Sequence, residues 1–155
     1  MSKRSQLGVL LSAMVLSAQC SASQSGGISP ALRADLTQSR GIFVEPAEPG
    51  AARKAPNEAW FVYQNGAIYV TASATDPRLR DLQAGRSDAN ISIGRADGPV
   101  VAASAAIVND DTARQMVLEG LQSKYPDLWK TYGAALRYNL KHGNTVVIKY
   151  TLKNS

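Results

Sequence analysis

The sequence predicts a mainly β protein with helices, an α+β fold in which an antiparallel barrel carries its helices on the outside. Three observations lead there. Two short runs of β-forming residues, 60–63 and 68–72, flank Gln64-Asn65-Gly66, and an Asn-Gly pair readily takes the positive φ angles of a tight hairpin turn. A further run, 145–152, alternates Val146, Ile148, Tyr150 and Leu152 with Thr145, Val147, Lys149 and Thr151, the period of a strand that closes a sheet. The order of elements is helix, three strands, short helix, two strands, two helices, one strand. That order suits an antiparallel barrel better than a parallel sheet with regular crossovers.

The helices and strands follow from local signals. Ser29-Pro30 caps a first helix over 31–40, with the serine accepting from the first turn and proline pre-set for the first helical position, and Gly41 stops it. Ile42-Phe43-Val44 is the first strand, and 46–57, rich in Pro, Gly, Ala and charge, is a long connection before the hairpin. Asp76-Pro77 starts a short helix that ends at Gly85. Ala89, Ile91 and Ile93 then alternate with Asn90, Ser92 and Gly94, Asp97-Gly98 turns the chain, and 99–108 is a run of small and branched residues fit to curve as a barrel wall. Asn109-Asp110-Asp111 caps a helix whose apolar stripe is Ala113, Met116, Val117 and Leu121, and Pro126 ends it. A second helix from Asp127 carries Leu128, Tyr132, Leu136 and Leu140 at four-residue spacing and stops at Gly143.

The chain of 155 residues, 45% of them hydrophobic and 19% charged, holds material for one compact domain, placed at 30–155. Residues 1–22 read as a signal peptide: a basic start with Lys3 and Arg4, an apolar run over 7–16 too short for a permanent span, and a small-x-small cleavage pattern at Cys20-Ser21-Ala22. Residues 23–29 read as a flexible linker. Export to the periplasm or the medium follows, with lipidation at Cys20 as the alternative, since residues 16–20 resemble a lipobox with Gln19 in the place of a small residue. Cys20 is the only cysteine and is cleaved or acylated in either case, so no disulfide, thiolate cluster or cysteine nucleophile is expected within the mature chain. Loss of Lys3 and Arg4 lowers the 17 basic residues to 15 against 12 acidic ones and the formal charge from +5 to +3. The basic residues are scattered and not interleaved with aromatics, which argues against a nucleic-acid partner.

The chemistry-bearing stretch is 60–82. Its second strand empties into hydroxyls, Thr71, Ser73 and Thr75, and then into Arg78 and Arg80 on the short helix. Hydroxyls at a strand end, followed by a helix start with guanidinium groups, form a seat for a phosphate. The same residues also read as a solvated helix face and the outward side of a strand. Asp110 and Asp111 read as caps. His142, the only histidine, sits at a helix end where an imidazolium suits the dipole; alone it supplies neither a hydrolytic triad nor a zinc site, leaving single-histidine chemistry such as axial ligation of haem.

This stretch resembles the pyridoxamine 5'-phosphate oxidase-like, FMN-binding split-barrel family with its deazaflavin-dependent relatives. Trp60-Phe61-Val62 is similar to one strand of that family, Tyr69-Val70-Thr71 to the next, and Arg78-Leu79-Arg80-Asp81-Leu82 to the short helix begun by a basic residue. The likeness continues through 89–94, 99–111, Lys124-Tyr125 and 146–152, and covers the chain from about Gly41 onward. It implies a split-barrel homodimer holding FMN or deazaflavin at the subunit interface. By the same resemblance Thr71 would donate to the phosphate with Ser73 beside it, Arg78 would be the basic ligand, Arg80 would help neutralise charge, and Trp60 and Tyr69 would shape the ring pocket. Hydride would move to or from the cofactor ring. Two functions therefore stand: an exported flavin- or deazaflavin-dependent oxidoreductase acting on a small molecule, and an exported, cofactor-free barrel that binds a small ligand or a protein partner.

Overall fold

A computed structural model describes residues 28–48 and 58–153. The expected signal peptide at 1–22 with Cys20, most of the linker at 23–29 and most of the 46–57 connection lie outside the described residues. In chain order the elements are α1 (Pro30–Gln38), β1 (Ile42–Pro46), β2 (Glu58–Ala59), β3 (Val62–Gln64), β4 (Ala67–Ser73), α2 (Pro77–Gln83), β5 (Asp88–Ile93), β6 (Val100–Val108), α3 (Asp111–Lys124), α4 (Pro126–Lys141) and β7 (Thr145–Leu152). The strands form one antiparallel sheet in the order β2-β1-β5-β6-β7-β4-β3. β1 and β4 stand far apart in that order, yet Ile42 and Val44 share one apolar cluster with Ile68, Val70 and Ala72. The sheet must therefore curl around that cluster, and the molecule is a split antiparallel barrel with four helices.

Alternation assigns the two faces. Ile68, Val70 and Ala72 of β4, Ile91 and Ile93 of β5, and Ile148 and Tyr150 of β7 fill the inner face, joined by Leu36 from α1 and Leu79 from α2. Ala67 and Tyr69 of β4 and Val147 of β7 point the other way, where Val117, Leu118 and Leu121 of α3 and Leu140 of α4 cover them in a second cluster. Val147, expected to face outward among polar residues, is thus buried under helices.

The hairpin forms as the Asn-Gly pair requires: Gln64 pairs with Ala67 across a two-residue turn, with Asn65 at φ 52° and Gly66 at φ 74°. Ser29, Asp76 and Asp110 cap α1, α2 and α3, accepting from Leu32, Arg78 and Ala113 amides at 3.1, 2.9 and 2.8 Å. Three differences from the sequence expectation bear on the site. β3 begins at Val62, two residues late, because the Phe61 amide donates to the Tyr125 hydroxyl at 3.1 Å instead of joining the ladder. The two-residue β2 pairs with β1 and makes four strands before α2. Finally, α1 ends at Gln38, where the Ser39 amide closes onto the Asp35 carbonyl at 2.8 Å.

Candidate functional site

The expected phosphate seat divides between the two faces of the sheet. By the alternation of β4, Thr71 and Ser73 lie on the outer face with Tyr69, Thr71 half-buried opposite Val147 and Ser73 exposed opposite Thr145. The Ser73 and Thr75 hydroxyls stand 3.3 Å apart, continuing the row toward α2.

Arg78 goes to the inner side. Asp76 Oδ1 accepts from both the backbone amide and Nε of Arg78 at 2.9 Å, and Oδ2 accepts from Nη2 at 2.6 Å, a bidentate pair with side chains only 18% and 13% exposed. Burial works against the guanidinium charge, but the hydrogen bonds and attraction of Asp76, with Tyr150 adding, outweigh it and hold its pKa above the ordinary value. Nη1 is buried without a hydrogen-bond partner among the described residues. Arg78 also borders a mouth pocket with about 260 Å3 of empty space, alongside Val44, Arg86, Asp81, Asp88 and Tyr150. Arg86 pairs with Asp81 at 2.9 Å and Lys153 with Asp88 at 2.7 Å, so charge around this mouth is balanced.

Thr71 and Arg78 are therefore not brought together, and one phosphate held by both does not fit this arrangement. Two of the three guanidinium nitrogens already serve Asp76. Arg80, two positions on, is exposed and makes no ion pair among the described residues. Tyr69 is 6% exposed within the second cluster, so its ring supports the helices.

Trp60 belongs to a different feature. Together with Tyr125, Leu128, Trp129, Tyr132 and Leu136 it lines an apolar groove along α4 with about 230 Å3 of empty space. Its ring stacks on Tyr125 at 5.9 Å between centroids and tilts against Tyr132 at 5.8 Å. A Cβ on Gly133 would lie 2.6 Å from Trp129 Cδ2; glycine at this position is what lets the indole lie across the helix. Tyr132 belongs to the apolar stripe expected of this helix, whereas Trp129 and Gly133 lie outside that stripe. Their i, i+4 spacing was the available signal.

Tyr125 is the hub beneath the groove: its hydroxyl donates to the Arg40 carbonyl at 2.8 Å and accepts from the Phe61 amide at 3.1 Å. Lys124 lies with Nζ 3.4 Å from the Phe61 ring centroid and donates to the Leu36 carbonyl at 3.2 Å. Burial, with Arg40 nearby, lowers its pKa from the ordinary 10.5 to about 8. The unfolded chain thus binds more protons between these values, and stability should rise as pH increases from about 8. Above pH 10 the Tyr125 hydroxyl, whose pKa burial raises, opposes the gain because the unfolded tyrosine ionises first. Urea unfolding from pH 7.5 to 10 checks this: Lys124→Met should flatten the rise.

Asp110 caps α3, as expected. His142 Nδ1 lies 2.8 Å from the Tyr138 carbonyl and its ring stacks on Tyr138 at 4.0 Å. No group of three or more potential metal ligands occurs among the described residues, nor is any described helix long and apolar enough to cross a membrane.

No protein-family model matches the sequence, and no curated protein matches it. Solved structures do match. A Listeria innocua protein assigned as a pyridoxamine 5'-phosphate oxidase is similar at 13% identity and TM-score 0.54, over 79% of this chain and 91% of that one. HutZ, the haem storage protein of Vibrio cholerae, matches at 12% identity and TM-score 0.58, over 83% and 92%. A FAD-binding protein of Mesorhizobium loti matches at 13% and 0.53, over 81% and 91%. At these identities the likeness establishes the fold, which is that of the pyridoxamine 5'-phosphate oxidase-like split barrels.

Proposed function

We propose, from this split-barrel fold, that the protein is an exported homodimeric oxidoreductase that binds FMN or its deazaflavin relative. The observation that carries the reading is the hydroxyl row of Thr71, Ser73 and Thr75, which leads along the outer face of β4 to the start of α2. Thr71 and Ser73 would bind and orient the phosphate by donating their hydroxyl hydrogens, and Arg80 would supply positive charge. Arg78 becomes a positioning residue: clamped by Asp76, it holds the first turn of α2 beside the hydroxyls. A flavin or deazaflavin, when bound, supplies hydride transfer, and the protein supplies position and electrostatics. Similarity to a FAD-binding protein supports the class of ligand.

The test is an absorbance spectrum of the mature chain purified from a host that makes both flavin and deazaflavin, with mass spectrometry of anything released on denaturation. A near-stoichiometric band is expected. It should be lost in the Thr71→Val/Ser73→Ala double variant with circular dichroism unchanged, and kept in Arg78→Ala. A colourless protein that takes up neither added FMN nor deazaflavin overturns the reading. The cofactor-free alternative is favoured by one observation, the pairing of Arg78 with Asp76, which already compensates the cation that the family resemblance assigns to the phosphate.

A further inference from the structure

The groove beside α4 is separate from the hydroxyl row: Thr71, Ser73, Arg78 and Arg80 are not among its lining residues. We propose that it binds a planar aromatic carboxylate. Its walls are aromatic, and two of them remain in water, Trp60 at 40% and Tyr132 at 53% exposure. Trp129 completes the wall because Gly133 leaves the space its indole occupies. A flat ring entering here meets the aromatic side chains of Trp60, Trp129 and Tyr132, with half-buried Leu128 and Leu136 along the helix.

The charge of the occupant follows from the rim. The Arg137 guanidinium stands 5.4 Å from the Trp129 ring centroid, Arg40 5.6 Å from that of Tyr125, and Lys124 Nζ 5.8 Å from the same ring. None of the three is in a salt bridge among the described residues. On the acidic side, Glu58 acts on Tyr125 and Asp127 is paired with Lys130 at 3.1 Å. Lys124 is turned to the Phe61 ring and the Leu36 carbonyl, so the charge at the open edge of the groove is that of exposed Arg137 beside Trp129, which selects a carboxylate over a neutral or cationic group of the same shape.

The chain has two tryptophans, Trp60 and Trp129, and both line the groove, so their indole N–H resonances report on it directly. The experiment is a nitrogen-15 NMR titration of the protein with 2-naphthoate, set against 2-naphthylmethanol and 2-naphthylmethylamine. Both indole signals should shift saturably, with the carboxylate binding at least about tenfold tighter than the amine. The exposed Arg137→Gln should leave the spectrum folded and cut that preference about threefold or more. The proposal is overturned by unmoved indole signals up to the solubility of naphthoate, by equal affinity for anion and amine, or by a preference that Arg137→Gln leaves unchanged.

Discussion

Asp76→Ala should destabilise the protein by about 3 kcal/mol, read as a lowered urea midpoint at unchanged slope. The single carboxylate serves three donors of Arg78, capping α2 through the backbone amide and holding Nε and Nη2 of the side chain. Its removal leaves a guanidinium that is 18% exposed, with Nη1 buried without a hydrogen-bond partner among the described residues and none of its Asp76 bonds. Breaking a buried pair costs ~3–5 kcal/mol and losing a cap ~1 kcal/mol, while residual solvent contact reduces the first of these. Arg78→Met should cost less, because Asp76 keeps its capping bond and the methionine stem still fills the inner mouth. A loss below ~1 kcal/mol in Asp76→Ala would mean that the pair behaves as a surface contact. The asymmetry between the two variants is the informative quantity. Cofactor content then separates a charge kept for the fold from a charge kept for a ligand, since only a phosphate ligand would make Arg78→Met the variant that loses cofactor.

The second large effect is expected at Tyr125→Phe, about 2 kcal/mol by the same measurement. The ring and its stacking with Trp60 persist, so only the hydroxyl is tested. Without it the buried Phe61 amide loses its acceptor and the Arg40 carbonyl its donor. A buried donor left unsatisfied costs ~1–3 kcal/mol. Because this hydroxyl ends the ladder at Phe61, the variant should also extend protection from hydrogen exchange less far along 60–62 than in the parent. An unchanged midpoint would show that water replaces the hydroxyl at both backbone groups.

Much of the fold was legible because local chemistry and tertiary packing agree. The alternation of 145–152 becomes β7 with the expected bounds, and Asn65-Gly66 makes the turn its conformational freedom allows. The capping serine and aspartates start the helices they precede. What could not be read was set by partners distant in sequence. Trp60 and Phe61 look like strand residues, but a tyrosine 64 positions after Phe61 takes its amide out of the ladder. A two-residue strand such as β2 carries no period to detect. At the candidate site the hydroxyls were placed correctly on the outward face, whereas Arg78 was assigned to them through resemblance to a family motif. Asp76-Pro77-Arg78 contained the contrary signal, a capping carboxylate within reach of a guanidinium two residues on. The aromatic groove was hidden because Trp129, Gly133 and Arg137 make sense only once α4 lies beside Trp60.

The two outermost strands have a consequence for colloidal behaviour. β2 and β3 cover only Ile42–Phe43 of β1 and Ala67–Tyr69 of β4, so 44–46 of β1 and 70–73 of β4 have no strand on that side among the described residues. A long bare border is a template for adding foreign strands, the route to fibrils and swapped assemblies. Here each open stretch is short, and Pro46 at the end of β1 lacks an amide donor. Crowding at high concentration should therefore yield association through broad side-chain surfaces, reversible on dilution, in preference to cross-β growth.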